Sequence, residues 1–314
     1  MGWRGLAVGA MLATAVPAHA TEGLAWQWDG KSVQYLARAE VKLPEILWAL
    51  AEQNTEARLA VVRLDVVATC TPEDTTKKGW MVVCNIDDVQ LAAAPILSDI
   101  GRALPILDEY DERLLGSTVH LNMNADGRIK SVGLGGWEPT NRRLVDQQET
   151  LRLLMARAFA PLDLQLPKKG DDKGKPWRQT TPLAFQFPGR QGTMGSAVVD
   201  HAVSGGSGDV VEVVSRGGGM LGSGEMVAVG DKEQPKHLYE MTMASSATFD
   251  TATGVMVQRE YLAEGYVKSS TAAVDDIGGI DYIQAASIVR VEGEAPVLGP
   301  NSEINPNIGT EDAG

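Results

Sequence analysis

The chain has 314 residues, with 28 lysines and arginines against 41 aspartates and glutamates, so its formal net charge at pH 7 is −13. This charge repels phosphate backbones and anionic lipid headgroups, which argues against nucleic-acid binding and electrostatic docking to a membrane. The 34 glycines, the 5% share of aromatic residues and the many short valine-rich runs favour β structure over a helical bundle.

Residues 1 to 20 have the pattern of a secretory signal peptide. Arg4 precedes an apolar run from Gly5 to Val16, and Ala18-His19-Ala20 forms a small-residue cleavage site before Thr21. The run is shorter than the ~20 apolar residues of a membrane-spanning helix, and no later segment approaches that length. We therefore expect an exported protein, periplasmic or extracellular, without a membrane span.

Two cysteines, Cys70 and Cys84, flank a polar turn between two strand-like runs. In antiparallel register about Lys77 they face each other, on the face that also carries Ala68 and Ile86. In an exported chain this predicts a disulfide, which would close a loop of about 15 residues. A redox pair is the alternative, but redox pairs have the spacing C-x-x-C. No histidine lies nearby, so we expect no metal site.

A second hairpin is predicted around Asp126-Gly127, the strongest short turn signal in the chain. Its strands pair Val119 with Leu134 and Leu121 with Val132, which leaves one apolar and one polar face. Nearer the N-terminus, the run from Trp26 to Gly30 predicts a strand and a turn whose tryptophans cover an edge of the core.

The segment 139–167 is the longest helical pattern in the chain. Its apolar residues recur at steps of three, four and seven. They are Leu144, Val145, Leu151, Leu154, Met155, Ala158, Phe159 and Leu162. The opposite face is charged, so we expect this helix to lie on an apolar sheet, and Pro161 and Pro167 to end it.

The last long hairpin, from Leu238 to Val267, predicts a ribbon with one apolar, methionine-rich face. Phe249 is placed opposite Val255. The reverse face carries Glu240, Thr242, Ser246, Gln258, Glu260 and Glu264. The apolar face is either core beneath the helix or the wall of a cavity for an apolar ligand. The candidate ligand-facing residues are Tyr239, Met241, Met243, Phe249, Val257, Tyr261, Met155 and Phe159.

No catalytic motif is recognisable. Three histidines remain after the signal peptide, His120, His201 and His237, and none has an identifiable nucleophile. Asp200 neighbours His201, but adjacent strand residues face opposite ways. The run 217–222 matches G-x-G-x-x-G without a following helix, so it predicts a glycine-rich turn. We expect no enzyme and no cofactor, although two carboxylates far apart in sequence could still form a glycosidase site.

These elements predict an α+β, mainly β chain with a strongly curved antiparallel sheet, or two β halves, packed around a central amphipathic helix. The predicted segments are a signal peptide (1–20), an N-terminal β half with the disulfide hairpin (21–138), the central helix (139–167), a C-terminal β half (168–292) and a disordered tail (293–314).

The hairpin ribbons, the central helix, the loop Gly174-Lys175-Pro176-Trp177 and the strand-turn-strand around Phe249 to Gly254 resemble uncharacterised exported proteins of Gram-negative bacteria. In outline those proteins are similar to curved-sheet carriers of the Lol lipoprotein-chaperone type. The resemblance implies a bent sheet with an apolar concave face. It favours a non-enzymatic periplasmic carrier of a lipid or acylated peptide. The alternative is a structural or interaction protein of the cell envelope without a ligand.

Overall fold

The structure, a computed structural model, describes residues 24–28, 30–42, 61–76, 79–94, 113–136, 142–167, 175–185, 193–223, 226–235, 237–269 and 280–298. Most of these residues lie in β-strands, and one large curved antiparallel sheet of 11 strands dominates the fold. The expected α+β, mainly β class with a curved antiparallel sheet is therefore confirmed.

The strands are, in chain order, β1 (Val33–Lys42), β2 (Val61–Thr76), β3 (Gly79–Ala94), β4 (Thr118–Asn124), β5 (Ile129–Gly135), β6 (Trp177–Phe185), β7 (Thr193–Ser207), β8 (Val210–Ser223), β9 (Met226–Val229), β10 (Lys232–Pro235), β11 (His237–Asp250), β12 (Val255–Ser269) and β13 (Ile280–Arg290). The long helix, α1 (Arg142–Phe159), is followed by a 3-10 turn, Ala160–Leu162.

The order of strands in the large sheet is β5-β4-β3-β2-β1-β13-β12-β11-β8-β7-β6. The strands before α1 are thus consecutive neighbours, and the strands after it form the other side. Pairing between β1 and β13 joins the two sides into one sheet. Strands β9 and β10 form a separate two-stranded ribbon.

Two hairpin registers predicted from the sequence are confirmed. Cys70 pairs with Cys84 across β2 and β3, and the two form a disulfide whose cysteines are fully buried. Across β4 and β5, Val119 pairs with Leu134. In both hairpins the alternation of apolar residues and the position of the turn determined the register.

The apolar stripe of α1 packs against the sheet, as expected. Leu151, Met155 and Phe159 have no exposed surface, and the main neighbours of the helix are β1, β2, β5 and β13. The helix is shorter than the segment 139–167, because it gives way to the 3-10 turn at Ala160. Pro161 lacks the N–H that would continue the α-helical hydrogen bonds. We call the side of the sheet that faces α1 the inner face.

The glycine run 217–222 is not a turn, contrary to the prediction; it lies inside β8 and pairs with both β7 and β11. The run can form a strand without side chains, because its backbone is hydrogen-bonded to neighbouring strands on both sides. A Cβ on Gly217 or Gly219 would overlap the backbone of β7, so the close approach of that strand requires glycine here.

The segment before β1 also differs from the prediction, because Leu24–Trp28 forms no strand. Trp26 and Trp28 stack with their ring centroids 6.1 Å apart, and both are buried. The Trp26 indole N–H donates to the Leu164 carbonyl at 2.9 Å. The tryptophans therefore cover an edge of the core, but in an irregular segment.

The predicted signal peptide lies outside the described residues, as do residues 299–314 of the predicted tail. The part of the tail that is described has no regular secondary structure, and the Leu298 N–H donates to the Asp88 carboxylate at 3.0 Å. The segment division of the chain stays a prediction.

Candidate functional site

The candidate ligand-facing residues fall into two groups. Met155, Phe159 and Phe249 have no exposed surface and belong to the continuous core between α1 and the sheet. Met241, Met243 and Tyr261 lie on the inner face of β11 and β12. Of these, Met241 is buried and belongs to the same core, whereas Met243 and Tyr261 are half-buried and pack against it.

The remaining two candidate ligand-facing residues are Tyr239 and Val257. Tyr239 lies in β11 opposite Val267, and its side chain is outside the described residues. Val257 is half-buried and has no partner in the β11–β12 pairing, because a bulge leaves it between Met256 and Gln258, which pair with Phe249 and Thr248. The predicted pairing of Phe249 with Val255 is wrong, since Val255 pairs with Asp250. The six residues assigned to the reverse face are all exposed, as predicted.

The inner face of β7, β8, β11 and β12 carries few large side chains. Two adjacent cross-strand rows form this surface, which we call the groove floor. Its residues are Val199, Gly217, Met243 and Ala263 in one row, and Ala197, Gly219, Met241 and Gly265 in the next. Only the two methionines are long, and the glycines of β8 have no room for a side chain. The floor is therefore apolar, and four of its eight residues, Ala197, Val199, Met241 and Ala263, are buried.

A row of polar residues borders the groove floor. Cross-strand pairing places Trp177, His201, Ser215, Ser245 and Tyr261 side by side on β6, β7, β8, β11 and β12. His201, Ser215 and Ser245 are 1%, 2% and 4% exposed. We call His201, Ser215 and Ser245, together with their buried partners Gln179 and Arg259, the polar row.

His201 is held on both ring nitrogens. Nδ1 lies 2.7 Å from the Ser215 hydroxyl and Nε2 lies 3.1 Å from the amide oxygen of Gln179. Because that amide oxygen accepts, Nε2 carries the proton and Nδ1 accepts from Ser215. The ring also stacks on Trp177 at 5.3 Å. Burial, together with the nearby charge of Arg259, lowers the pKa of His201 to about 4, so the ring is neutral at pH 7.

The Ser215–His201 pair does not have the features of a hydrolytic site. A nucleophilic serine needs a base whose pKa lies near the pH at which the enzyme works, and it needs access to the substrate. Here Ser215 is 2% exposed, the pKa of His201 is about 4, and the third partner is the neutral amide of Gln179. Asp200 lies on the other face and pairs with Arg178 at 2.7 Å, so it forms no dyad with His201, as predicted.

Arg259 is the charged member of the polar row and is 4% exposed. Its Nε and Nη2 donate to the Ser245 hydroxyl at 3.1 and 2.9 Å. Its Nη1 donates to the carbonyls of Pro161 and Asp163 at 3.0 and 2.9 Å. The guanidinium carbon lies 5.9 Å from the centre of the Tyr261 ring. Burial lowers the pKa of Arg259, as expected for a cation removed from water.

The segment that follows the 3-10 turn begins with Asp163, whose carbonyl is one of the two that Arg259 binds. The Asp163 carboxylate accepts from the Ile129 N–H at 2.9 Å, and burial raises the pKa of Asp163 to about 6. The Gln165 side chain donates to Asp126 at 2.7 Å, and the Gln165 carbonyl accepts from the Trp177 indole at 2.7 Å. The segment is thereby tied to the β4–β5 turn and to β6.

A separate pocket of about 230 Å³ lies where the segment before β1 meets β12 and β13. Its lining includes Trp28, Lys31, Thr253 and Arg290. Its lining mixes polar and apolar side chains, and it shares no residue with the groove floor. The described part of the chain contains no group of histidine, cysteine, aspartate or glutamate residues suited to a metal ion. No helix in that part is long and apolar enough to cross a membrane.

Sequence reasoning missed Ser245 and Arg259. Both occupy positions of the face assigned to the apolar ribbon, Ser245 between Met243 and Ala247, and Arg259 between Val257 and Tyr261. A serine and an arginine at positions that should be apolar break the pattern. That break was the available signal for a buried polar site.

Comparison with known proteins establishes no family for this chain. No family model matches it, and no curated protein matches it. A solved structure described as "Lipid-protein interactions in lipovitellin" has a similar chain trace, with a TM-score of 0.45 and 14% sequence identity. The match covers 88% of this chain and 27% of that chain, so this chain spans about a quarter of the length of the other. The resemblance to Lol-type carriers stays a prediction.

Proposed function

We propose that this protein is an exported, non-enzymatic binding or carrier protein that holds the apolar chain of a lipid or acylated peptide against the groove floor. The observation that supports this proposal is the floor itself. Eight inner-face positions on four neighbouring strands carry no large side chain except the methionines Met241 and Met243. Methionine side chains adapt to ligands of variable shape.

The position of α1 is consistent with a ligand on this part of the sheet. The helix packs mainly on β1, β2, β5 and β13, and the 3-10 turn packs on β12 and β13. The floor lies beside these elements, on strands spaced about 4.8 Å apart, and so extends roughly 14 Å from β7 to β12. Burying a methylene group contributes about 0.8 kcal/mol. The burial of a chain of about ten methylene groups would therefore provide the free energy that offsets the entropic cost of association.

The chemistry of the polar row supports a non-enzymatic function. His201, Ser215 and Gln179 bond to one another in a buried network, and the pKa of His201 is too low for a general base at neutral pH. The buried disulfide Cys70–Cys84 and the predicted signal peptide support export, because disulfides persist in oxidising compartments.

A second candidate is a structural or interaction protein of the cell envelope without a ligand. The complete burial of Met155, Phe159 and Phe249 favours it. The burial of four residues of the groove floor itself favours it too; these are Ala197, Val199, Met241 and Ala263. In this alternative the inner face is core throughout and has no room for a further molecule.

Replacement of Met243 with tryptophan tests the proposal, because the larger side chain would occupy the space above the groove floor. Met243→Trp should raise the Kd of a neutral apolar fluorophore, N-phenyl-1-naphthylamine, by about tenfold or more. The matched control is Thr242→Trp, since Thr242 is the adjacent residue on the exposed reverse face. Thermal unfolding verifies that both variants fold, given that overpacking can cost about 1–3 kcal/mol.

Equal affinity of the two variants would contradict a ligand on the groove floor. Failure of the wild-type protein to take up the fluorophore would contradict the carrier proposal and support the protein without a ligand.

A further inference from the structure

We infer that the ligand of the groove has an anionic end group, a carboxylate or a phosphate, and that Arg259 binds it. The inference rests on the proposed function and specifies the class of ligand. It would make this protein a binder of anionic single-chain amphiphiles, with the apolar chain on the groove floor and the charged end at the polar row.

Arg259 forms no hydrogen-bonded ion pair with a carboxylate in the described part of the chain. Its hydrogen bonds go to a hydroxyl and two backbone carbonyls, all of them neutral oxygens. Carbonyls at the end of a helix supply the equivalent of roughly half a negative charge. A buried ion normally has an oppositely charged partner, because removing it from water is costly.

Arg63 is another buried arginine, and its guanidinium is paired with carboxylates. Arg63 is 6% exposed and lies 2.7 Å from the carboxylate of Asp65 and 3.8 Å from that of Glu40. Arg290 likewise pairs with Asp250 at 3.0 Å. No described carboxylate forms such an ion pair with Arg259, whose burial equals that of Arg63 or exceeds it.

Asp163 does not form an ion pair with Arg259 either. It contacts Arg259 through its backbone carbonyl, while its carboxylate accepts from the Ile129 N–H. Burial raises the pKa of that carboxyl to about 6, so it is ionised at pH 7.5 and interacts electrostatically with Arg259 without a direct contact between the two charged groups. Asp163 therefore holds the guanidinium in position without forming a salt bridge with it.

The donors of Arg259 and Ser245 lie at the border of the groove floor. Ser245 is two residues from Met243 on β11, and residues two apart share a face of a strand. Nε and Nη2 of Arg259 share the Ser245 oxygen, so one Nη2 N–H has no acceptor among the described residues. The Ser245 hydroxyl hydrogen likewise has no acceptor among the described residues. An anionic group at this point would accept from both donors in charge-assisted bonds.

Three ligands with the same twelve-carbon chain test the inference. Dodecanoate, dodecyl phosphate and dodecanol are compared at pH 7.5 by displacement of N-phenyl-1-naphthylamine from the mature protein. We expect at least one anion to bind about tenfold or more tightly than the alcohol. The protein has a net charge of −13, so general electrostatics would disfavour the anions. Whichever anion binds more tightly distinguishes a carboxylate from a phosphate ligand.

Arg259→Met should abolish the preference for the anion and leave the affinity for dodecanol within about threefold, whereas Arg259→Lys should retain part of the preference. The control variant is Arg178→Met, which removes an exposed arginine paired with Asp200. This variant should change neither the preference for the anion nor the affinity for dodecanol. Near-ultraviolet circular dichroism reports whether each variant folds, and the wild-type comparison stands even where a variant does not fold.

Equal binding of all three ligands by the wild-type protein would overturn this inference and leave the proposed function standing. Binding of none of them would overturn the proposed function and this inference with it. An anion preference that survives in Arg259→Met would overturn the role of Arg259.

Discussion

Substitution of His201 by glutamine should make the protein less sensitive to acid. His201 is buried and neutral, held by Ser215 and Gln179. In the unfolded chain the same imidazole takes up a proton near its ordinary pKa of about 6.5. Glutamine can replace the polar contacts but cannot titrate, so the variant lacks this source of acid destabilisation.

The magnitude follows from linkage. The folded pKa of His201, about 4, lies below the unfolded value, so between pH 6.5 and 4 the unfolded state binds more protons. Stability contributed by this residue is therefore present above pH 6.5 and is lost as the pH falls. Between pH 7.5 and pH 5 the loss amounts to about 2 kcal/mol.

Urea unfolding of the wild type and of His201→Gln at pH 7.5 and pH 5 measures the effect. We expect the variant to lose about 2 kcal/mol less than the wild type over this interval. Asp163→Asn is a control in which the effect on acid stability has the opposite sign, so this variant should lose more stability than the wild type between pH 7.5 and pH 5. The folded pKa of Asp163, about 6, lies above the unfolded value, so the wild-type carboxyl gains stability as the pH falls through 6. An equal loss in the wild type and in His201→Gln would show that the titration of His201 does not cause the acid sensitivity.

Two further predictions concern the elements that hold the sheet and helix together. Reduction of the disulfide Cys70–Cys84, or its replacement in a Cys70→Ala/Cys84→Ala variant, should lower the free energy of unfolding by about 3 kcal/mol. Free thiols in the denatured protein before reductant is added would contradict the bond. Phe159→Ala should cost about 3–5 kcal/mol in urea unfolding, because the fully buried ring anchors the end of α1 in the core. A loss below about 1 kcal/mol would contradict that packing.

Local pattern was sufficient for the hairpins and for the buried face of the helix. Cys70 and Cys84, and likewise Val119 and Leu134, could be paired because a short turn leaves few registers and only one places the apolar residues on the same face. Between β11 and β12 the turn places Phe249 opposite Met256, one position from the predicted register, and the bulge next to Thr248 adds a second position, so that Ser245 pairs with Tyr261. An even shift preserves the faces, which explains why the reverse-face residues were assigned correctly.

The polar row could not be assembled from the sequence. Its members come together through the pairing of β8 with β11, which are separated in the chain by the β9–β10 ribbon. Arg259 also reaches the Pro161 carbonyl, 98 residues away. No short-range pattern specifies such contacts. The glycine run 217–222 was misassigned because the close approach of β7, which requires glycine, is visible only in three dimensions.

Mass spectrometry of the mature protein, purified natively from an exporting host, would reveal an apolar ligand bound on the groove floor. An organic extract should contain a molecule with an apolar chain in about equimolar amount, and Met243→Trp should carry less of it than Thr242→Trp. An extract without such a molecule, from a protein that also fails to take up apolar ligands afterwards, would contradict the proposed ligand.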